Sequence, residues 1–198
     1  MKEARRSFLL EPADAPLTAA QAFVRHARFR LSQDYPVKIS GALAELTDAQ
    51  LWWRPNEASN SIGNLILHLC GNVRQWMIAG VGGATDTRDR NHEFVERRQI
   101  GKDELLILLK TTLAEVDAAL EKLEQELIAG SDAPLQRQIT PQGFAQTVLD
   151  SVFHVVEHFS YHTGQIVFIA KLLAGERIRF YDDRQLDVRS EPRLPHLH

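Results

Sequence analysis

Residues 147–173 read TVLDSVFHVVEHFSYHTGQIVFIAKLL, and this stretch contains the clearest signal of secondary structure in the chain. Apolar side chains recur there at every third or fourth position, which is the period of an α-helix with one buried face. The centre of that face is formed by Val148, Val155, Phe159 and Ile166. Thr147 and Asp150 have the spacing of a capping box, so the helix should begin at Thr147, and Gly175 is a suitable C-terminal stop. The stretch therefore predicts one long amphipathic helix.

Three further segments have the same helical period, at about residues 17–46, 61–79 and 102–128. Pro36 should break or kink the first of them, because proline lacks a backbone donor and clashes with the preceding turn. The polar segment 81–101 predicts a long loop with one helical turn around His92, and loops of this length are often functional. Four amphipathic helices with little β-branched alternation predict an all-α protein, a four-helix bundle.

One domain accounts for the whole chain. Its 198 residues and 22.4 kDa fit a single bundle over residues 1–198, with a core at about 17–173 and an irregular tail at 174–198. A domain of this size buries enough surface to be stable without a disulfide or a structural metal. Cys70 is the only cysteine, which excludes an intrachain disulfide and fits a reducing, cytoplasmic setting.

The composition argues against two classes of partner. Lys and Arg number 23 against 26 Asp and Glu, a net charge of -3, whereas a general nucleic-acid binder normally has a basic excess. No apolar run approaches membrane-spanning length, and the first ten residues lack the apolar core of a signal peptide. We therefore expect a soluble, cytoplasmic protein with no nucleic-acid or membrane partner.

The fourth predicted helix contains a ladder of three histidines, His154, His158 and His162. Residues four apart lie one turn above another, so neighbouring imidazoles can converge on one point. At 100° per residue, His162 lies about 40°, His158 about 80° and His154 about 120° from the centre of the apolar face. His158 and His162 should therefore face the interior, where a shared divalent metal would satisfy both rings without burying two protonated ones.

A stable site needs a third ligand from another helix. His68 is the natural candidate, because it is the histidine embedded in the apolar sequence of the second helix, LILHL at 65–69. His26 on the first helix and His92 in the long loop are alternatives that the spacing leaves open. Three neutral imidazoles would leave a coordination position free, which is typical of catalytic rather than structural zinc sites.

A competing motif overlaps the ladder. His154, Glu157 and His158 match H-x-x-E-H, the inverted zinc-peptidase signature, in which both histidines bind zinc and the glutamate is the general base. The helical period places Glu157 about 180° from the apolar centre, which suits a solvated side chain better than a buried base. The peptidase interpretation requires His154 and makes His162 dispensable.

Four strings together carry a family resemblance: HVVEHFSYHTGQI at 154–166, HLCGN at 68–72, WWRP at 52–55 and SIGN at 61–64. With them the chain resembles the DinB/YfiT-like family of predicted metalloenzymes over about residues 29–173, and in particular an uncharacterised branch of it. The resemblance implies a four-helix bundle with up-down-down-up order, usually a homodimer.

The resemblance also implies a divalent metal, typically nickel or zinc, bound by His68, His158 and His162. His154 occupies a position where relatives often have a histidine that is not a ligand. Characterised relatives include S-transferases and isomerases that use low-molecular-weight thiols such as bacillithiol or mycothiol. A small-molecule substrate, with such a thiol as one candidate, is therefore an expectation that rests on analogy alone.

Two functions from different classes follow. The first is a metal-dependent transferase or hydrolase acting on a small molecule through the open three-histidine site. The residues predicted to contact the ligands are His154, Asn72 and Gln165, and the residues predicted to bind substrate are Arg54, Tyr161 and Arg88. The second is a non-catalytic bundle in which the metal has a structural or stress-related role. Three histidines do not identify the metal, because zinc, nickel, copper and iron all accept imidazole.

Overall fold

The structure is a computed structural model, and it describes residues 17–97, 100–127 and 131–180. Eight α-helices lie in these ranges: α1 Ala19–Phe29, α2 Tyr35–Ala44, α3 Asp48–Leu51, α4 Ile62–Val73, α5 Arg90–Val95, α6 Lys102–Glu126, α7 Ala133–Gln136 and α8 Val148–Ala174. The all-α prediction is confirmed. The N-terminal residues 1–16 and most of the predicted tail, 181–198, lie outside the described residues.

The first bundle helix is continuous through Pro36, so of the two expected effects, a break or a kink, the break does not occur. A π-helical turn, Arg30–Asp34, joins α1 to α2, and the Tyr35 N–H donates to the Arg30 carbonyl five residues back. The wider turn falls directly before the proline, so Pro36 lies at the start of α2. The free-energy cost of proline's missing N–H is smallest in the first turn of an α-helix, and Pro36 has that position in α2.

The ends of the other long helices are close to the predicted ones. The second bundle helix consists of α4 and a π-helical extension, Arg74–Val81, so it ends at Val81 rather than before Gly80. The fourth, α8, begins with the predicted capping box of Thr147 and Asp150. It ends at Ala174, and the next residue, Gly175, has a positive φ of 60°, which suits glycine.

The connection before α8 contains structure that the periodicity did not predict. Strands β1 Gln138–Ile139 and β2 Gln146–Thr147 pair antiparallel as a short hairpin. Between them lies a 3-10 turn, Pro141–Gly143. The Val148 N–H donates to the Arg137 carbonyl, which ties the first turn of α8 to the hairpin. This hairpin fixes the point at which α8 enters the bundle.

Cross-helix contacts give the directions of the bundle helices. The first helix and α6 are antiparallel, because ion pairs join Arg25 to Glu124 and Arg28 to Asp117. The second helix and α8 are also antiparallel, as shown by the pairs Ser151–Trp76 and His158–His68.

The second helix and α6 run in the same direction. Arg74 pairs with Glu115, and one turn earlier Cys70 lies beside Thr112. Combined with the two antiparallel pairs, this gives the up-down-down-up order of the bundle. Its interior contains fully buried side chains from every bundle helix, among them Leu31, Ile39, Met77, Leu120 and Phe159. No described helix combines the length and apolar character needed to cross a membrane.

Candidate metal centre

Three histidines from two antiparallel helices converge inside the bundle. His68 comes from α4, and His158 and His162 come from successive turns of α8. One ring nitrogen of each lies within 4.8 Å of the other two. The Nε2 atoms of His68 and His158 are 3.0 Å apart. The structure thus brings His68, rather than His26 or His92, to the predicted pair.

The two alternative third ligands lie elsewhere. The ring of His26 packs against that of Phe29 on the first helix. His92 is exposed and pairs with Glu96 one turn later, Nε2 to Oε2 3.3 Å. Neither belongs to the histidine cluster found among the described residues.

Glu93 of α5 fixes the ring of His68. The His68 Nδ1–H donates to Glu93 Oε2 at 2.8 Å, and both side chains are buried. Burial would raise the pKa of Glu93, but hydrogen bonds from Arg88 and His68 outweigh it and the pKa is lowered. Because an ionised carboxylate only accepts hydrogen bonds, Nδ1 of His68 must carry the proton. The lone pair of a neutral His68 is then on Nε2, which faces the other histidines.

Arg88 holds Glu93 in place. Its Nε donates to Glu93 Oε1 at 2.7 Å, its Nη2 to Oε2 at 2.9 Å, and its Nη1 to Gln75 Oε1 at 2.9 Å. The side chain is 2% exposed. Arg88 was predicted to contact an anionic substrate, but its guanidinium is buried behind His68 and occupied by Glu93. It supports the site instead of lining it.

His162 is oriented in the same manner by its own helix. Its Nδ1–H donates to Gln165 Oε1 at 2.6 Å, three residues later. Burial lowers the pKa of His162, against the opposing effect of that hydrogen bond. With Nδ1 protonated, Nε2 is the ring nitrogen that remains for a ligand. Gln165 therefore lies where the sequence placed it, in contact with a predicted metal ligand.

Among the histidines that the structure describes, His158 has the most strongly lowered pKa. Burial, together with the neighbouring imidazoles, lowers its pKa to about 3, so the ring is neutral at physiological pH. Its Nδ1 is buried without a hydrogen-bond partner. The Nε2 atoms of His68 and His158 are at hydrogen-bond distance, and because the proton of His68 is on Nδ1, the donor between them is His158 Nε2. To bind a metal ion through Nε2, the neutral His158 ring would move this proton to Nδ1.

His154 lies one turn further along α8 and has different neighbours. Its ring packs on Trp76 with centroids 3.9 Å apart, and its Nε2 accepts from Asn72 Nδ2 at 3.3 Å. Asn72, predicted to contact a ligand, therefore contacts His154. Burial lowers the pKa of His154. Glu157 is exposed, as the helical period indicated, so the residues of H-x-x-E-H do not form the convergent site.

Aromatic rings surround the histidines. Phe94 of α5 packs on His68 with centroids 4.7 Å apart, and the guanidinium of Arg90 lies 5.6 Å from the centre of the Phe94 ring. On α8, the exposed ring of Tyr161 meets His162 edge to face at 5.0 Å. Of the predicted substrate-binding residues, Tyr161 thus lies next to the cluster.

Arg54 has a local role in the structure. Its Nη2 lies 3.1 Å from Glu57 Oε2, and its Nη1 donates to the Glu57 carbonyl. These bonds close the turn between α3 and α4. The part assigned to Arg54 in substrate binding stays a prediction.

Glu93, Trp76 and Phe94 are the neighbours of the site that sequence reasoning missed. Glu93 and Phe94 lie in the segment 81–101, where the sequence predicted a functional loop with a helical turn around His92. The predicted helical turn exists as α5, but a helix of six residues is too short for its period to tell which side faces the protein. Trp76 was assigned to the apolar stripe and does lie in the core.

Comparisons with known proteins agree with this architecture. A family model described as "Protein of unknown function (DUF1572)" matches residues 18–181. Among solved structures, a DinB-like protein, YjoA, from Bacillus subtilis matches with a TM-score of 0.56 and 21% identity, over 82% of this chain and 99% of that one. At this identity the likeness shows the fold alone. A comparison with curated proteins gives no match.

Proposed function

The chain belongs to the DUF1572 family and has a DinB-like fold, and from this premise we propose that it binds a divalent metal ion through His68, His158 and His162. The observation that carries the proposal is the 3.0 Å separation of the His68 and His158 Nε2 atoms. Two nitrogens bound to one tetrahedral zinc ion lie roughly 3.3 Å apart, given Zn–N distances of about 2.0–2.1 Å. Small side-chain shifts would therefore suffice for binding.

The hydrogen bonds around the histidines support the same proposal. Proteins commonly fix a metal-binding histidine by bonding its other ring nitrogen to a carboxylate or an amide oxygen. Glu93 does this for His68, and Gln165 does it for His162. Both bonds leave Nε2 unprotonated in the neutral ring. The low pKa of His158 adds a third imidazole that does not need to lose a proton at neutral pH.

We further propose that the metal serves a reaction on a small molecule. A divalent ion with three imidazole ligands keeps a coordination position free and lowers the pKa of a water or thiol bound there. Transfer of a low-molecular-weight thiol or hydrolysis are the two reaction types that fit such a site. Zinc and nickel are the proposed metals, and a cytoplasmic location is proposed with them, since a thiol cosubstrate needs a reducing compartment.

The site's own residues would bind and orient such a substrate. The rings of Phe94 and Tyr161 offer apolar contacts beside the histidines, and Arg90 places a positive charge next to Phe94. The site itself adds charge, because the 2+ of the ion and the Arg88 guanidinium outweigh the single Glu93 carboxylate. A small molecule with an anionic group matches this electrostatic environment.

The first test is metal analysis of the purified protein. We expect about one equivalent of zinc or nickel per chain, falling to near zero in His158→Ala. The matched control is His92→Ala, which removes an exposed histidine outside the cluster and should leave the metal content unchanged. Equal metal content in the wild-type protein and His158→Ala would contradict the site.

A substrate screen tests the enzymatic part of the proposal. Thiol transfer or hydrolysis that stops when a chelator removes the metal would support it.

A second function is favoured by the fact that the three histidines come from two different helices. His68 belongs to α4 and the other two histidines belong to α8, so a bound ion would cross-link two bundle helices. A non-catalytic, structural role is the alternative proposal on this ground. The structural role and the enzymatic role both predict a melting temperature that depends on the metal. The structural role alone predicts no turnover on any thiol or hydrolysable substrate.

A further inference from the structure

The turn of the β1–β2 hairpin holds one residue in an unusual backbone conformation. Gln142 has a φ of 54° and a ψ of 19°, and among the described residues it is the only one other than glycine with a positive φ. The next residue, Gly143, has a φ of 79° and adopts this region without strain because it lacks a Cβ. For glutamine the left-handed region is strained, and such strain persists where surrounding contacts hold the residue in place.

The side-chain amide of Gln142 makes those contacts. One of its two polar atoms lies 2.6 Å from Gln75 Oε1, 3.2 Å from Trp76 Nε1 and 3.1 Å from Arg88 Nη1. As a nitrogen, this atom donates to Gln75. As an oxygen, it accepts from Trp76 and Arg88. Either orientation of the amide binds the hairpin to the group of side chains behind the candidate metal centre.

The same group of side chains leads to a predicted metal ligand. Gln75 Oε1 accepts from Arg88 Nη1 at 2.9 Å, and Arg88 donates twice to Glu93, which accepts from His68. Nη2 of Arg88 also lies 3.2 Å from His68 Nδ1. The contacts run from the hairpin to the site in the order Gln142, Gln75, Arg88, Glu93 and His68. Because the Arg88 side chain is 2% exposed, water has little access to replace a lost partner.

The hairpin that carries Gln142 is itself held on the π-helical extension of α4. Arg137 Nη2 donates to the Val81 carbonyl at 3.1 Å. Ile139 and Pro141 lie beside Gly80, where a built Cβ would be 3.6 Å from a side-chain atom of each. The backbone of the turn therefore has a defined position from which the amide reaches Gln75 and Arg88.

We propose that Gln142 is a positioning residue, which holds the Arg88 guanidinium in place and thereby fixes Glu93 and the orientation of His68. The strained backbone is retained because it brings the amide into contact with Gln75, Trp76 and Arg88. The effect on metal affinity rests on the proposed function. The hold on Arg88 exists in the metal-free protein and can be measured there.

Hydrogen exchange of the Arg88 Nε–H, followed by NMR in the metal-free full chain, tests the hold on Arg88. Gln142→Gly removes the amide and places in the turn a residue that adopts a positive φ freely. We expect exchange to become several-fold faster, because the guanidinium loses a contact. The Tm should stay constant or rise by up to about 4 °C, since the strain is released. Unchanged exchange of this proton would overturn the proposal.

Gln142→Ala completes a matched pair with Gln142→Gly. Both variants lack the amide, but alanine keeps a Cβ and therefore the backbone strain. We expect zinc affinity to fall about three- to tenfold in both, less than for Glu93 because Gln142 lies further from the ligand. The Tm of the alanine variant should be the lower of the two. Wild-type zinc affinity in both variants, or a loss in the alanine variant alone, would overturn the proposal, since the amide would then have no role.

Gln138→Ala is the control, because it removes an exposed glutamine side chain from β1 of the same hairpin. Zinc affinity and Arg88 exchange should both match the wild-type protein. An effect equal to that of Gln142→Ala would show a general response of the hairpin and would contradict a specific role of Gln142. If the wild-type protein binds no zinc, the proposed metal function fails, and the exchange of the Arg88 proton alone decides the role of Gln142.

Discussion

At the scale of single residues, the candidate centre depends on hydrogen bonds behind the histidines. Glu93 accepts from His68 Nδ1 and is itself held by two bonds from Arg88. This chain of contacts fixes the protonated nitrogen of His68, so Nε2 is available to a metal without reorganisation. Removing the negative charge from position 93 should therefore weaken metal binding without touching a ligand.

Glu93→Gln is expected to lower zinc affinity about 10- to 100-fold, the usual effect of losing such a partner. Competition with a chromophoric chelator measures the dissociation constant. Glu115→Gln is the control, because it removes a carboxylate that pairs with Arg74 on the surface. If the Glu93 and Glu115 variants bind zinc equally well, Glu93 does not orient the ligand.

At the scale of elements, the site depends on how closely α5 approaches α4. The Asn64 amide of α4 donates to the Glu93 and Glu96 carbonyls, which docks α5 on that helix. The docking is close enough that a Cβ built on Gly71 would overlap the Glu93 carboxylate. A glycine inside a helix normally destabilises it, so its presence here has a packing reason.

Gly71→Ala is expected to displace the Glu93 side chain and so reduce zinc affinity. The displacement should also lower the stability of the fold, but alanine favours the helix over glycine by about 1 kcal/mol, which offsets part of that loss. Chelator competition and thermal melting separate the two effects. A variant with wild-type zinc affinity would show that α5 can shift away without disturbing His68.

At the scale of the whole molecule, a bound metal would join α4 to α8 across the core. Any ligand that binds only the folded state stabilises it, by roughly 2.7 kcal/mol when its concentration is 100 times the dissociation constant. For a domain of this size, that corresponds to a rise in Tm of about 5–10 °C.

Differential scanning calorimetry with added zinc, and with a chelator, measures this shift. We expect the Tm of the wild-type protein to rise with zinc and that of His158→Ala to stay constant. A wild-type Tm that does not respond to zinc, nickel or the chelator would contradict a metal bridge between the helices.

Much of the fold could be predicted because helix signals are local. The capping box of Thr147 and Asp150 and the stop at Gly175 were correctly placed, since both act within a few residues of the chain. The break that was one expected effect of Pro36 does not occur, because a neighbouring π-helical turn accommodates the proline, and the apolar period does not reveal such turns. The β1–β2 hairpin was missed because its two-residue strands are too short to show alternation.

From the amino-acid sequence alone one obtains the bundle helices and the face of α8 that carries His158 and His162, because a helical period fixes the angle of each side chain about the helix axis. The packing of the helices in three dimensions was needed to learn that His68 meets them, that His154 contacts Asn72 and Trp76, and that Glu93 and Arg88 support the site. Those contacts depend on how separate helices and the α5 segment pack together, and periodicity within one element contains no distance to another.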